Sequence, residues 1–366
     1  MKPQHTLVFC ISPHGYGHAA QSSSVINLLL EQYPDIEVYV KTSLPEAFIR
    51  ERFDQNVKIL PQVIDFGMVM ASSIDILEEE SFSRYQSIHE QWEVMVEQEC
   101  KDLINVQPHL IVSNVAYVCL EAAHRLNIPS LAMGSLNWAD IFDHYCGHYE
   151  EAPSVVSQMK SAYNHAQAFI QLTPCPPMPW IDNRQAIPPV TRLGQNKHAL
   201  IRQQLKCSQD VQLILIGLGG IEMRLPIETW PTRANTVWII PDEWDCQRKD
   251  CVPISQLGLP FIDLLASVDA LITKPGYGTF SEAVCNKIPF LYVPRGDWPE
   301  EPYLEAWAKK FGIAESISRQ SLKEGGFYAN LNDILSQDKK LKTPPKADGA
   351  QKAVDIIVST LTQQGV

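Results

Sequence analysis

The sequence lacks any apolar run approaching the roughly 20 residues that a helix needs to span a bilayer, so no transmembrane helix is expected. It also lacks secretory-leader architecture: a short polar start leads straight into the strand-like Thr6-Leu-Val-Phe-Cys-Ile-Ser12, and a cytoplasmic location is the expectation. Basic residues are in deficit, with 30 Lys and Arg against 42 Asp and Glu and a net charge of −12. That balance argues against a broad nucleic-acid surface and leaves room only for a local basic pocket such as one for a diphosphate. The nine cysteines lack a pairing pattern. Several (Cys10, Cys119, Cys285) fall in apolar segments, as buried reduced thiols do, and Cys246 and Cys251 lack zinc-finger spacing. Beside Cys146, His144 and His148 stand at i,i+4 and could share a helix face, but Gly147 intervenes and no third ligand joins the two histidines, so no metal site is expected there. What the 366-residue chain has is apolar content: 45%, enough for two domain cores.

Apolar strand-like runs alternate with helical patterns along the whole chain. Strands are expected at 6–12, 36–42, 57–60, 110–115, 130–133 and 169–172, and again at 211–220, 236–240, 270–272 and 289–293. The repetition implies an α/β protein with parallel doubly wound sheets, whose ligands sit at the C-terminal ends of the strands. Prolines are densest at Pro174–Pro179 and Pro188–Pro189. Because proline fixes φ and interrupts regular structure, 174–192 reads as a linker between a first domain (1–173) and a second (193–347). The stretch 348–366 has helical spacing at Ala353, Ile356, Ile357 and Leu361, suited to a last helix that crosses back to the first domain.

One device appears near both ends of the chain: a strand, a glycine-bearing turn, then a helix. In Ala270-Leu-Ile-Thr-Lys-Pro-Gly-Tyr-Gly-Thr-Phe-Ser-Glu-Ala283, Gly276 and Gly278 are expected to let the backbone turn sharply and approach a ligand without a Cβ. Thr279 and Ser281 read as helix-start residues, whose free N–H groups attract phosphate. Glu282 is placed to accept hydrogen bonds from a ribose diol. The strand ending in Gly217, Gly219 and Gly220 offers further N–H groups to a diphosphate. Near the start, Pro13-His14-Gly15-Tyr16-Gly17-His18 is not a dinucleotide fingerprint, because the third glycine's spacing is not met and no acidic residue takes the ribose position. An ordinary strand-to-helix turn is the competing reading of each. Asn137, Trp138 and Asp140, after the strand at 130–133, suit a sugar or other polar acceptor; a helix packed by Trp138 and Ile141 is equally compatible.

Lys274-Pro-Gly-Tyr-Gly-Thr-Phe-Ser-Glu-Ala283, followed by Pro289-Phe290, Arg295 to Asp297 and Glu300-Glu301-Pro302, resembles the donor-site signature of two-domain GT-B glycosyltransferases of the MurG-like and UDP-glycosyltransferase-like kinds. The likeness is strongest to the glycosyltransferase-like N-terminal region of plant arabinokinases, without their kinase half. The resemblance implies two Rossmann-like domains facing a cleft and an inverting transfer from a nucleotide-sugar, with UDP as the nucleotide, to an unknown acceptor. It implies no cofactor and no metal, in keeping with the lack of an Asp-x-Asp at any strand end. The implied donor-binding residues are Gly17, Gly219, Gly220, Lys274, Gly276, Tyr277, Gly278, Thr279, Ser281, Glu282, Arg295, Glu300 and Glu301. Asn114, Asn137, Trp138 and Asp140 fall on the acceptor side, and His18 is the catalytic base that takes the acceptor's proton. Relatives hold that histidine with an Asp. Here the matching residue is Asn114, which can orient an imidazole but cannot stabilise an imidazolium by charge. Two other readings share the architecture: a sugar-nucleotide 2-epimerase, which needs further carboxylates, and a non-catalytic nucleotide-sugar sensor.

Overall fold

The computed structural model describes residues 5–71, 75–218 and 224–363. The chain forms two compact units, Met1–Val190 with Asp348–Val366, and Thr191–Ala347. In the first, seven parallel strands lie in the order β3-β2-β1-β4-β5-β6-β7. They are β1 (His5–Ile11), β2 (Ile36–Lys41), β3 (Lys58–Leu60), β4 (Leu110–Asn114), β5 (Ser130–Gly134), β6 (Ala168–Leu172) and β7 (Arg184–Ile187). Leu7 to Ile11 are all 0% exposed; this central strand is covered on both faces, which is why its sequence is continuously apolar rather than alternating.

The chain moves outward from β1 through β2 to β3, then returns to β1's other side as β4. The order therefore reverses between β1 and β4, and loops leaving the C-terminal ends of these two strands flank a crevice. Ile11 is in register with Asn114, so the loop after β1 starts beside that asparagine.

The stretch 174–192, expected to be a linker, instead supplies β7, which pairs parallel with β6 at the sheet edge. Its prolines stand on either side of Arg184–Ile187, which keeps its N–H groups for the ladder, and an edge position tolerates such neighbours. The final helix, Gly349–Thr362, belongs to the first unit: Gly349 N donates to Pro189 O at 3.2 Å, and Ala353, Val354, Ile357 and Leu361 are buried.

The second unit has six parallel strands in the order β10-β9-β8-β11-β12-β13: β8 (Gln212–Gly217), β9 (Thr236–Ile240), β10 (Cys251–Pro253), β11 (Ala270–Thr273), β12 (Phe290–Tyr292) and β13 (Ala314–Ser316). β10 (Cys-Val-Pro) and β13 (Ala-Glu-Ser) carry no apolar run, unlike the equally short β12 (Phe-Leu-Tyr), so they leave no pattern in the sequence. Here the order reverses between β8 and β11. Thr273 Oγ1, 1% exposed, donates to Gly217 O at 2.6 Å and ties the two strands together at that point. Beneath them, Trp230, Trp238 and Phe327 pack edge to face with ring centroids 5.0–6.1 Å apart. All nine cysteines are free thiols, and among the described residues no helix is long and apolar enough to cross a membrane.

Candidate functional site

Each candidate site grows from one of these reversals. In the first unit, β1 leads through Ser12–Tyr16 into the helix Gly17–Gln32, and His18 lies in its first turn, 6% exposed. Its Nδ1 is 2.9 Å from Asn114 Oδ1. The direction of that bond follows from the rest of the amide. Asn114 Nδ2 donates to His18 O at 3.1 Å, Gln21 Oε1 at 3.2 Å and Ser22 Oγ at 3.0 Å. The first two of these partners only accept, so the atom facing the imidazole is the carbonyl oxygen. Nδ1 therefore carries the ring proton, and the lone pair of neutral His18 sits on Nε2. The amide is also more than a weakened carboxylate, because an Asp at 114 would turn a lone pair toward His18 O. Burial pushes the His18 pKa down to about 4, against a smaller upward pull from the Asn114 bond. The imidazole is neutral throughout the physiological range.

Beside it stands a carboxyl that the sequence reading missed. Asp65, in the loop after β3, is 8% exposed, and its Oδ2 accepts from Trp138 Nε1 at 3.2 Å. The Trp138 indole meets the rings of His14 and His18 edge to face, at 5.0 and 5.6 Å. Burial raises the Asp65 pKa to about 6, against hydrogen bonds from Ser12, Trp138 and the backbone of Gly67 and Phe66 that pull the other way. A signal was available: Asp65 is a lone acidic residue inside the apolar run Val63-Ile-Asp-Phe-Gly-Met-Val-Met70.

The two shifts act on stability in opposite senses. His18's folded pKa lies below its usual 6.5, so its contribution is present above pH 6.5 and is lost as pH falls toward 4. Asp65's lies above its usual 3.8, so its contribution is present below pH 3.8 and is lost as pH rises through about 6. In Asp65→Asn the second effect disappears. Relative to the parent, the variant is expected to gain about 2.4 kcal/mol between pH 4 and pH 7.5, at about 1.4 kcal/mol per pKa unit. Denaturant titrations at several pH values measure this; a pH-independent difference would mean Asp65 titrates normally.

Trp138 itself is 0% exposed, with its indole among the rings of His14 and His18 rather than on the surface. Asn137 caps the helix Trp138–Cys146, accepting from Asp140 N at 2.8 Å, while its Nδ2 donates to Asp140 Oδ2 at 2.7 Å. Asp140 Oδ1 in turn accepts from Trp180 Nε1 at 2.7 Å. The Asn-x-x-Asp spacing of a reciprocal cap is legible in the sequence and competes with the acceptor reading of both residues. Among the described residues no three His, Cys, Asp or Glu side chains gather as metal ligands; Cys146 is buried and His148 lies 3.3 Å from Glu78.

In the second unit β11 leads through Lys274-Pro275-Gly276 into the helix Tyr277–Cys285. The helix starts four residues before the Ser281 start expected from the sequence. Gly276 takes the cap position without a side-chain bond, and Ser281, a full turn in, is 0% exposed with no hydrogen-bond partner for its Oγ. Gly276 has φ −172, extended backbone open to any residue, and Gly278 avoids the left-handed region as well, so a sharp turn does not explain either glycine. A Cβ built at either position meets no described atom within 4 Å. Packing among the described residues does not require these glycines, and no described atom fills the space around them. The same holds at Gly17, whereas Gly219 and Gly220 lie outside the described residues.

Lys274 is half-buried, and burial, with the charge of Arg295, lowers its pKa to about 8. Arg295 follows β12, with its guanidinium 5.7 Å from the centroid of the Trp298 ring. Arg295 N donates to both carboxylate oxygens of Glu301 at 3.0 Å, and Trp298 Nε1 donates to Glu300 Oε2 at 3.3 Å. Glu300 and Glu301 are each 5% exposed, and burial raises the pKa of Glu301. These carboxylates brace the loop that carries Arg295, a duty the sequence reading did not foresee. Thr279 and Glu282 are half-buried on the first turns of the helix, and Tyr277 is buried.

No protein-family model matches the chain. It is similar to an L-arabinokinase of Arabidopsis thaliana, 28% identical over 347 residues; the match covers 90% of this chain and about a third (32%) of that protein. Among solved structures it resembles the glycotransferase of kitacinnamycin, with a TM-score of 0.69 at 14% identity over 97% of this chain and 99% of that one. The calicheamicin glycosyltransferase gives 0.68 at 14% identity over 99% and 100%. The Arabidopsis thaliana protein UGT89C1, solved in complex with UDP, gives 0.59 at 14% over 98% and 99%. With two parallel sheets of the same architecture and near-complete coverage in both directions, the fold of this chain is that of the GT-B glycosyltransferases.

Proposed function

We propose that this chain is a metal-independent, inverting glycosyltransferase that moves a sugar from a UDP-sugar to an acceptor hydroxyl or amine in the cytoplasm. The observation that carries the reading is the His18–Asn114 pair. It fixes a neutral imidazole with its proton on Nδ1 and its lone pair on Nε2 at the C-terminal end of a central strand. In the transfer, Nε2 takes the acceptor's proton as the acceptor atom attacks the anomeric carbon. The bond from that carbon to the diphosphate breaks on the opposite face, and the nucleoside diphosphate leaves as an anion.

The leaving charge suits the second unit's site. A helix N-terminus contributes about half a positive charge, and Lys274 and Arg295 add two cations. The open space at Gly276 and Gly278 admits the phosphates, and Glu282 accepts from the ribose diol. Glu301 and Glu300 act by holding the Arg295 loop.

The sensor reading keeps one specific observation on its side. A base with a pKa of about 4 accepts a proton poorly near neutrality, where the most effective general base titrates. Both readings require the nucleotide site. Melting the protein against UDP, UDP-sugars, dTDP, ADP and GDP tests it: at 100 times Kd a ligand adds about 2.7 kcal/mol of stability. A UDP-selective rise in Tm that Glu282→Ala abolishes is the expected result; no rise with any nucleotide overturns the proposal.

A further inference from the structure

We propose that Asp65 is a positioning residue for His18, acting through the indole of Trp138. This rests on the reading of His18 as the base. One hydrogen bond, from Nδ1 to Asn114, holds one edge of the buried imidazole. The second restraint is the edge-to-face contact with Trp138, ring centroids 5.6 Å apart and planes inclined at 62°. The indole is pinned in turn by its Nε1–H bond to Asp65 Oδ2 at 3.2 Å.

The other contacts of Asp65 converge on the same place. Ser12, whose hydroxyl lowers the Asp65 pKa and accepts from His14 N at 3.4 Å, is 0% exposed in the loop between β1 and His18. The backbone of Phe66 and Gly67 pulls the Asp65 pKa down in the same way, while Asp65 Oδ1 is buried without a hydrogen-bond partner among the described residues. Gly67 has φ +71, and a Cβ there would lie 2.6 Å from His14 Cβ, so the 65–67 segment touches the histidine loop by its backbone as well as through the carboxyl.

The test uses the full chain with 15N-labelled histidine, with no nucleotide or acceptor, and reads the His18 ring by long-range proton–nitrogen NMR; His18→Gln assigns the signals. The parent is expected to show one Nδ1–H tautomer whose Cε1 proton is shifted by the indole ring. Asp65→Leu is expected to lose that shift and broaden the ring signals. Asp65→Asn, which keeps an oxygen for the indole N–H, is expected to retain both. Trp138→Phe is expected to reproduce the Asp65→Leu spectrum, and the double variant to add nothing further.

Unchanged His18 signals in folded Asp65→Leu, or a double variant whose effects add, would overturn the proposal. If Asp65→Leu does not fold, Trp138→Phe decides alone: unchanged His18 signals there overturn it. Because the readout needs no turnover, its failure is distinguishable from a failure of the reading of His18 as the base.

Discussion

Replacing His18 by Ala is expected to lower turnover about 10²–10⁴-fold, the usual contribution of a positioned general base, while leaving the UDP-induced rise in Tm unchanged. The two halves of that result follow from where the residue sits. His18 belongs to the first unit's strand reversal, and the proposed nucleotide contacts belong to the second. The variant leaves the buried Asn114 Oδ1 without its donor, at a cost of about 1–3 kcal/mol. His18→Gln, which can supply a donor to that oxygen without an imidazole lone pair, controls for this loss. Turnover of Asp65→Asn, in which no carboxyl titrates near pH 6 beside the indole, should hold as pH is lowered through 7 and 6, and fall only as His18 protonates near its pKa of about 4. A rate that drops around pH 6.5 in that variant would show that His18 is not the titrating base, and turnover unaffected by His18→Ala would favour the sensor.

Gly278→Ala is the second large effect, and its value lies in the opposition between stability and binding. In the free protein the added methyl meets no described atom within 4 Å, and the position lies inside the helix Tyr277–Cys285. Alanine is favoured there over glycine by about 1 kcal/mol, so the variant without ligand is expected to melt at or above the parent's temperature. The same methyl occupies the space proposed for the phosphates, and the UDP-induced rise in Tm is expected to vanish. A variant that is more stable and still binds UDP would mean that the open space before this helix is not the nucleotide site. A destabilised variant would mean that the glycine serves the fold.

Much of the architecture was legible because parallel strands buried on both faces are written as continuous apolar runs; β1, β4, β8 and β11 announce themselves this way. The edge elements were not. β7 hides among prolines because an edge strand needs only one ladder, and β10 and β13 carry no apolar run. His18 and the two glycines at 276 and 278 were legible as residue types, but the reason for the glycines was not. Backbone angles and the empty surroundings of their missing Cβ atoms shift the explanation from a tight turn to reserved space.

The class of fold, the two strand–glycine–helix devices and the histidine–asparagine pairing were readable from the chain alone, because each depends on local pattern or on residues at matching motif positions. Tertiary structure alone decided which nitrogen of His18 keeps the lone pair, since that follows from three other acceptors gathered around Asn114 from the helix Gly17–Gln32. It also decided that Glu301 braces a loop and that Trp138 is buried. And it brought Asp65, 47 positions from His18 in sequence, to the indole that the imidazole rests on. Such contacts arise where loops from separate strands meet at a sheet's reversal point, and no local property of the chain encodes that meeting.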